Sequence, residues 1–483
     1  MQYNVVLRNG TVLDGTGRSP FLADVAIQAD RIAMIGDLRS VSADRLIDGS
    51  GLVVAPGFID VHSHDDAALV ASPDMAHKLT QGVTTVIAGN CGISGAPYTA
   101  HGDPPDLLRL VFKSDRFVAA TFSEYVEKVK AAMPAINAGF LTGHTTLRME
   151  VMGKDLGRSA TQSEIRQMQV LLQHCLEAGA LGLSTGLFYP PARAASLDEV
   201  TELASLLRAY QGIYATHMRD EADGVMESLK ETLDVGRAIG SPVVVSHHKC
   251  MGQKNFGRSV QTLRLLQEAR QHQAVAWDVY PYTAGSSVLN EELVAKSSRT
   301  LIAWCDPYPE YCGRDLCDVT REWGCSVSEA VSRLLPAGAV YFMMDEEDVM
   351  RIMRSSAAMF GSDGMPQDQH PHPRLWGTFP RILGHYVREK RILTLADAVH
   401  RMTGLSADWF GLHDRGRVEV GRYADLCVFD PEAVLDMATY ERPIQPAVGI
   451  HYVFVNGKLA LEHGSYTGAR AGHVLRRERQ GQQ

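Results

Sequence analysis

The sequence predicts an α/β protein: a TIM-like (β/α)8 barrel, with a small β-sandwich built from both chain termini and an inserted subdomain before the last barrel strand. Three observations lead to this prediction. Eight apolar, strand-like runs lie in the middle of the chain, helical segments separate them, and both ends are rich in short strands. Strands that alternate with helices are typical of βαβ units in a parallel sheet, and eight such units close a barrel.

The two ends of the 483-residue chain have the same character. Short alternating apolar runs, separated by Gly, Asp and Asn, occupy residues 3–55 and return at 416–470. This pattern is typical of antiparallel strands joined by tight turns. We therefore expect residues 1–55 and 416–483 to pair in one β-sandwich, and residues 56–415 to form a separate barrel domain.

Each predicted barrel strand is a short apolar run. The eight runs are APGFIDVHSH, VTTVIAGNC, NAGFLTGHTT, ALGLSTGLF, GIYATHM, PVVVSHHK, AVAWDVYPY and AAMFGSDG. One of the helical segments between them, SLDEVTELASLLRAYQ, begins with a Ser N-cap followed by acidic residues. The alternation stops from about 284 to 346, between the seventh and eighth runs, which predicts the inserted subdomain near the barrel mouth.

Composition excludes several classes of protein. The chain is 45% hydrophobic and 21% charged, with a net charge of −9, and it has no basic stripe to attract nucleic acid or an anionic membrane. No signal-peptide pattern and no apolar run of transmembrane length is visible, so we expect a cytoplasmic protein with eight reduced cysteines. The expected partner is a small-molecule substrate, and the sequence does not indicate an oligomeric state.

Metal-binding side chains follow the apolar runs directly. They are His62 and His64, Cys91, His217, His247 or His248, and Asp363. TIM barrels build their active sites at the C-terminal ends of the strands, and zinc accepts imidazole, thiolate and carboxylate ligands. The sequence therefore predicts a zinc site at this end of the barrel. The alternative, a metal-free structural relative that kept the fold and lost the site, is disfavoured because every proposed ligand is present.

Strand periodicity predicts which of these side chains can meet. His62 and His64 are two residues apart, so both side chains point to the same face and into the barrel. His247 and His248 are adjacent and must point to opposite faces, so one of them enters the site and the other packs elsewhere. Periodicity alone leaves the choice between these two open.

The strings GFIDVHSHDD, GNCGIS, THMRDE, SHHK and SDG resemble those of the N-acyl-D-amino-acid deacylases, or D-aminoacylases, of the amidohydrolase superfamily. The resemblance extends over nearly the full chain. It implies zinc-dependent hydrolysis of N-acyl-D-amino acids to a carboxylate and a free D-amino acid. Related amidohydrolases bridge two metals with a lysine after the fourth strand, and the run ALGLSTGLFYPP has none. The resemblance assigns that bridging role to Cys91, and it selects His247 over His248.

The same resemblance divides the ligands into two sets. Cys91, His217 and His247 are expected to hold one zinc tightly, whereas His62, His64 and Asp363 line a second, weaker position. Asp363, on an Asp-Gly turn that ends the eighth run, is expected to take a proton from water and deliver it to the leaving amine.

Substrate binding requires cations for the free α-carboxylate. Lys249 lies two residues beyond His247, and Arg374 lies in the loop after Asp363. The resemblance gives both a carboxylate-binding role, together with Tyr280 and Ser286. It suggests Phe188, Tyr189 and Met344 as walls of the side-chain pocket. Lys296 and Arg299 in the inserted segment would favour an acidic substrate such as D-glutamate if they reach the pocket, and a solvated surface explains them equally well.

The competing prediction is another amidohydrolase of the same fold. A cyclic-amide hydrolase, such as a dihydropyrimidinase or dihydroorotase, and an isoaspartyl-dipeptidase share the HxH motif that His62 and His64 form here. The missing lysine in the fourth run argues against both.

Overall fold

The computed structural model of the protein describes residues 2–99, 106–112 and 114–477. The strands are β1 (Gln2–Val12), β2 (Phe21–Gln28), β3 (Arg31–Gly36), β4 (Ser42–Asp48), β5 (Val53–Pro56), β6 (Phe58–Asp60), β7 (Val83–Ala88), β8 (Asn137–Phe140), β9 (Thr142–Gly143), β10 (Gly182–Gly186), β11 (Ile213–His217), β12 (Val243–Val245), β13 (Val275–Val279), β14 (Ala284–Val288), β15 (Arg299–Cys305), β16 (Ala337–Phe342), β17 (Ala358–Phe360), β18 (Leu426–Phe429), β19 (Ile450–Val455), β20 (Lys458–Glu462) and β21 (Ser465–Tyr466).

The helices separate most of these strands. They are α1 (Ala68–Ala71), α2 (Ala76–Leu79), α3 (Asp106–Arg109), α4 (Phe122–Ala132), α5 (His144–Met152), α6 (Gln162–Glu177), α7 (Pro190–Arg193), α8 (Leu197–Ala204), α9 (Val225–Ile239), α10 (Ser259–Ala269), α11 (Glu291–Lys296), α12 (Leu316–Trp323), α13 (Val327–Leu334), α14 (Glu346–Met353), α15 (Arg374–Arg381), α16 (Leu395–Met402) and α17 (Gly404–Phe410). A π-helical stretch, Ile382–Glu389, continues α15. Among the helices of the described ranges, none combines the length and apolar composition that crossing a bilayer requires.

The parallel strands of the described chain follow one another around a ring. β6 pairs with β7 and β7 with β8, while β9, β10, β11, β12, β13 and β17 pair in that order. β8 and β9 are separated only by Leu141 and act as one strand. The first and last strands meet at a parallel bridge between Ser63 and Gly364 and at the hydrogen bond from Asp363 N to His62 O, 2.7 Å long. The predicted fold class, α/β with parallel strands joined by helices, is confirmed.

Apolar side chains fill the space inside this ring. Each of the eight strands, or the residue at its end, contributes at least one member of a buried cluster, which includes Ile59, Ile87, Leu141, Leu181, Ile213, Val244, Ala276 and Met359. A packed interior of this kind is typical of TIM barrels. It leaves only the strand ends and their loops for polar chemistry.

The helix that the sequence singled out begins where its cap predicts. α8 starts at Leu197, and the side chain of Ser196 accepts a hydrogen bond from the N–H of Glu199. This bond satisfies one of the N–H groups that the first turn leaves unpaired. The predicted N-cap is therefore confirmed.

Strands from both ends of the chain share one sheet. β1–β5 and β18–β21 form a nine-stranded sheet, in which β5 and β18 pair antiparallel across the junction between the two ends. Between the seventh and eighth barrel strands, β14, β16 and β15 form an antiparallel sheet of three strands. The boundaries 1–55, 56–415, 284–346 and 416–483 stay a prediction.

Candidate metal centre

The proposed ligands all lie at the C-terminal ends of barrel strands. His62 and His64 follow β6, Cys91 follows β7, His217 ends β11, His247 follows β12 and Asp363 follows β17. Each of these side chains is at most 7% exposed. Because the strands are parallel, their C-terminal ends share one edge of the barrel, and the fold therefore brings donors from five strands together.

Three of these residues adopt a backbone conformation that is rare outside glycine. Cys91, His247 and Asp363 have φ angles of 53°, 35° and 49°. A left-handed residue with a Cβ costs about 1–2 kcal/mol, so the surrounding structure must hold it in place. At Cys91 a glycine makes room for this conformation, because a Cβ on Gly186 would lie 2.1 Å from the Cys91 carbonyl oxygen.

Cys91 stands between the two predicted ligand sets. Its Sγ lies 3.3 Å from Nε2 of His62 and 3.3 Å from Nε2 of His247. The donor atoms of Cys91, His217 and His247 lie within 4.8 Å of one another, and so do those of His62, His64, Cys91 and Asp363. The structure thus places Cys91 in both groups, so a single thiolate could touch metal ions in both positions.

The donor atoms fit a metal ion in their hydrogen bonding as well. Both ring nitrogens of His217 and Nδ1 of His64 are buried and make no hydrogen bond within the described residues. Buried polar atoms normally have partners, so such atoms at a cluster of metal ligands point to a bound group. Two imidazoles and a thiolate suit zinc, and the group with Asp363 adds a carboxylate oxygen.

The charges around the centre favour the ionised forms of Cys91 and Asp363. Burial raises the pKa of the Cys91 thiol, but the neighbouring His62 and His247 outweigh burial and hold that pKa well below its ordinary value. Burial also raises the pKa of Asp363, but the Arg374 guanidinium and the hydrogen bond from His64 outweigh it and lower the pKa well below the usual range. Both groups are therefore ionised at neutral pH.

His248 lies outside the centre. Its Nε2 is 2.8 Å from Oγ1 of Thr262 on α10. Burial lowers the pKa of His248 to about 4, so the ring is neutral at physiological pH. Of the two adjacent histidines, His247 is the one whose donor atom lies with those of Cys91 and His217.

Two buried carboxylates support the ligands, and the sequence analysis named neither. Glu221 Oε1 lies 3.1 Å from His247 Nδ1, and its Oε2 lies 3.4 Å from His217 Nε2. Asp278, on β13, lies 3.2 Å from His62 Nδ1. Asp278 could have been identified as a charged residue inside the apolar run AVAWDVYPY. Glu221 could have been identified as an acidic residue four positions after His217.

A buried ammonium ties the first and last barrel strands together beneath the centre. Lys78 Nζ lies 2.7 Å from Oδ2 of Asp60 and donates to Oγ of Ser362 at 3.0 Å. Asp60 Oδ1 in turn accepts the backbone N–H of Ser362 at 2.8 Å. These contacts fix the strand ends that carry His62 and Asp363, and the sequence analysis did not identify them.

A cavity opens beside the donor groups. Its lining comprises Phe188, Tyr189, His217, Glu221, His247, Lys249, Met251, Tyr280, Gly285, Ser286, Ser287, Leu293, Tyr341, Met343 and Asp363. Of the predicted substrate-binding residues, Phe188, Tyr189, Lys249, Tyr280 and Ser286 therefore face this cavity.

The remaining predicted wall residue is displaced by one position. Met343, not Met344, lines the cavity. β16 ends at Phe342, and the Met343 Cε lies 3.3 Å from the position of a Cβ on Gly285, which also lines the cavity. Met343 and Met344 both donate their N–H groups to the Thr283 carbonyl and both pack in the apolar core, but only Met343 also lines the cavity.

The cations near the cavity are held by acidic partners. Lys249 Nζ lies 2.8 and 2.9 Å from the two oxygens of Glu221. Arg374 is fully buried, and its Nη1 lies 2.9 Å from Oδ2 of Asp363. The Arg374 nitrogens make no well-aligned hydrogen bond within the described chain, but this predicted substrate-binding residue is fully buried and is not part of the cavity lining.

The two cations of the inserted segment do not line the cavity. Lys296 Nζ lies 2.7 Å from Glu292 Oε1, one turn away on α11, and Arg299 Nε lies 2.7 Å from Asp315 Oδ2. Both charges are therefore neutralised outside the site, and the structure does not support their predicted role for an acidic substrate.

Comparison with known proteins gives a consistent result. A model of the amidohydrolase family matches residues 45–240 and 326–460. A D-aminoacylase of Alcaligenes xylosoxydans xylosoxydans is 50% identical over 475 residues, 98% of this chain and 98% of the relative. An N-acyl-D-glutamate deacylase of the same organism is 44% identical over 476 residues, 98% of this chain and 97% of the relative.

A solved structure has the same fold over its whole length. It is the N-acyl-D-glutamate deacylase from Bordetella bronchiseptica, crystallised with zinc and a phosphonate inhibitor that mimics the tetrahedral intermediate. Its sequence is 43% identical to this chain, and the two structures superpose with a TM-score of 0.96. The match covers 99% of this chain and 100% of the deacylase chain.

Proposed function

The chain belongs to the amidohydrolase family, as a metal-dependent enzyme acting on small molecules, and we propose that it hydrolyses the amide bond of N-acyl-D-amino acids with zinc. The observation that carries the proposal is the pair of buried donor groups that share Cys91, beside a cavity lined by Lys249 and Tyr280. Relatives that cover nearly the whole chain are N-acyl-D-amino-acid deacylases, which supports the substrate class.

Cys91, His217 and His247 would hold one zinc tightly, and His62, His64 and Asp363 would form a second position that also touches Cys91. When bound, zinc supplies Lewis-acid polarisation of the acyl carbonyl and lowers the pKa of water. Glu221 keeps the tight group in place through its contacts with His217 and His247.

Asp363 is the group that moves protons. Arg374 and His64 keep its carboxylate ionised at neutral pH. The lowered pKa of a zinc-bound water would allow this weak base to accept its proton. The same carboxylate can return that proton to the leaving nitrogen, as a single acid–base group commonly does. Its buried position, only 6% exposed, keeps bulk water from competing for the proton.

Tyr280 and two cations form the site for the substrate α-carboxylate. The Arg374 guanidinium carbon lies 4.6 Å from the centre of the Tyr280 ring, and Lys249 Nζ lies 5.7 Å from it. A carboxylate beside Tyr280 would lie near the Arg374 guanidinium and near Lys249, whose charge Glu221 balances here, with Ser286 also lining the cavity. An arginine with free donors binds carboxylates through paired hydrogen bonds, which fixes orientation as well as position.

Fixing the carboxylate and the carbonyl determines the handedness of the substrate. With those two groups held, only one enantiomer directs its side chain into the pocket walled by Phe188, Tyr189 and Met343. These walls are apolar, as are the nearby Leu293 and Met251. We therefore assign the chain a preference for apolar D-amino acids such as D-leucine and D-methionine, in place of the acidic preference considered from the sequence.

The proposal is tested with a panel of zinc-loaded assays on N-acetyl-D-leucine, N-acetyl-D-methionine, N-acetyl-D-glutamate, hydantoin and dihydroorotate. We expect kcat/KM for the two apolar D-substrates to exceed that for the D-glutamate derivative on the order of 100-fold or more, because an unpaired carboxylate in an apolar pocket is costly.

The panel separates the two parts of the proposal. Turnover of only hydantoin or dihydroorotate would make the chain a cyclic-amide hydrolase and overturn the proposed reaction. Fastest turnover of the D-glutamate derivative would leave the reaction standing but contradict the apolar pocket.

A further inference from the structure

Asp278 is a buried carboxylate that touches both ligand groups. It lies on β13 and is 2% exposed. Its Oδ1 accepts the backbone N–H of His247 at 2.9 Å, and its Oδ2 lies 3.2 Å from Nδ1 of His62. His247 belongs to the tight group and His62 to the second one, so the two oxygens serve different metal positions.

The contact with His62 selects the form of that ring. A carboxylate can only accept a hydrogen bond, so Nδ1 of His62 must carry the proton. In the neutral ring with Nδ1 protonated, Nε2 keeps its lone pair, and it faces the ligand atoms: Cys91 Sγ at 3.3 Å and Asp363 Oδ1 at 3.6 Å. An outer carboxylate of this kind is the usual device for orienting a metal-binding imidazole.

The contact with His247 holds the backbone instead of the ring. His247 has a φ of 35°, which a residue with a Cβ adopts only when its surroundings enforce it. The Asp278 side chain takes the N–H of His247, and the Asp278 carbonyl takes the N–H of His248 at 2.7 Å. Two consecutive N–H groups are thus fixed by one residue, and the turn they form aims the His247 ring at Cys91.

We propose that Asp278 is a positioning residue for both metal positions at once, setting the tautomer of His62 with one oxygen and the backbone of His247 with the other. This inference rests on the metal centre proposed above, and metal binding rather than hydrolysis tests it.

The Asp278→Asn substitution separates the two roles. The asparagine oxygen can still accept the hydrogen bond from the N–H of His247. In that orientation the NH2 group lies where Oδ2 of Asp278 accepted the hydrogen bond from Nδ1 of His62. The flipped orientation would set the NH2 group against the His247 N–H, donor against donor. Nδ1 of His62 must then accept, which moves its proton to Nε2 and removes the lone pair that faces Cys91 and Asp363.

The experiment measures zinc per chain against chelators of graded strength and up to millimolar zinc, with a cobalt-loaded sample to follow the thiolate–metal absorption of Cys91. For Asp278→Asn we expect the tight position to stay within a few-fold of wild type and the second to weaken roughly 10–100-fold, as the loss of an outer-shell partner does. Asp278→Ala, which removes both acceptors, should weaken both positions.

Asp348→Asn is the matched control, because Asp348 is also 2% exposed and its carboxylate, on α14, accepts from Gly257 and Ser259, which are not proposed ligands. It should change thermal stability without changing either metal position. Three results would overturn the proposal. Asp278→Asn could bind zinc as wild type does, or it could weaken both positions equally. The wild-type protein could also bind a single zinc at millimolar zinc. If wild type hydrolyses no N-acyl-D-amino acid but the variants separate the two positions, only the substrate assignment fails.

Discussion

Replacing Cys91 with serine should abolish tight zinc binding and reduce amide hydrolysis to background. Cys91 belongs to both ligand groups, so its loss removes the only atom that the two positions share. Serine matches the shape of cysteine, but its hydroxyl does not ionise near neutral pH and is a poor zinc ligand. We expect zinc affinity to fall by more than the roughly 10–100-fold that follows loss of an outer-shell partner.

The measurement is zinc per chain after dialysis against a chelator, alongside kcat/KM for N-acetyl-D-leucine. Cys175→Ser is the matched control: Cys175 is equally buried, and burial raises the pKa of its thiol to about 12, so it stays a neutral core residue. The control should keep both zinc and activity. Wild-type zinc content in Cys91→Ser would show that Cys91 is only a buried thiol.

The second large effect is expected at Asp363. Asp363→Asn keeps the size of the side chain and an oxygen near Arg374 but removes the proton acceptor. We expect kcat to fall on the order of 10²–10⁴-fold, the usual contribution of a general acid–base group, while the zinc held by Cys91, His217 and His247 remains. Activity and zinc content of the same preparations provide the test.

Asp24→Asn is the control for this substitution, because Asp24 is also 6% exposed but lies in the terminal sheet, where it accepts backbone N–H groups. It should leave kcat unchanged. A kcat within tenfold of wild type in Asp363→Asn would remove Asp363 from proton transfer. Complete loss of zinc would instead make it an essential ligand of the tight position.

The barrel could be predicted because its strands are short apolar runs that end in polar residues. The same-face argument predicted that His62 and His64 lie together, and both belong to one donor group, although β6 ends at Asp60, before either residue. Strand periodicity could not predict the side-chain directions of the residues after β12. β12 ends at Val245, and His247 has a left-handed backbone, so the alternation of faces does not continue to Lys249.

The residues that support the ligands could not be predicted from the sequence for a different reason. Asp278 and Glu221 act through contacts with residues 216 and 26 positions away along the chain, and no local pattern encodes such pairs. Met343 lines the cavity where Met344 was predicted to do so. This difference depends on the residue at which β16 ends, and the sequence defines the end of an element only to within a residue or two. Lys249 was named for its charge, but only the structure shows that Glu221 neutralises it.

The most direct test of the central claim compares kcat/KM of the zinc-loaded enzyme for N-acetyl-D-leucine and N-acetyl-L-leucine. With the carboxylate held beside Tyr280 and the carbonyl beside Cys91, His217 and His247, only the D enantiomer places its side chain in the apolar pocket. The predicted result is a D-to-L ratio of at least about 10⁴, the discrimination available when a wrong substrate leaves buried polar groups unpaired. Equal rates for the two enantiomers would contradict the account.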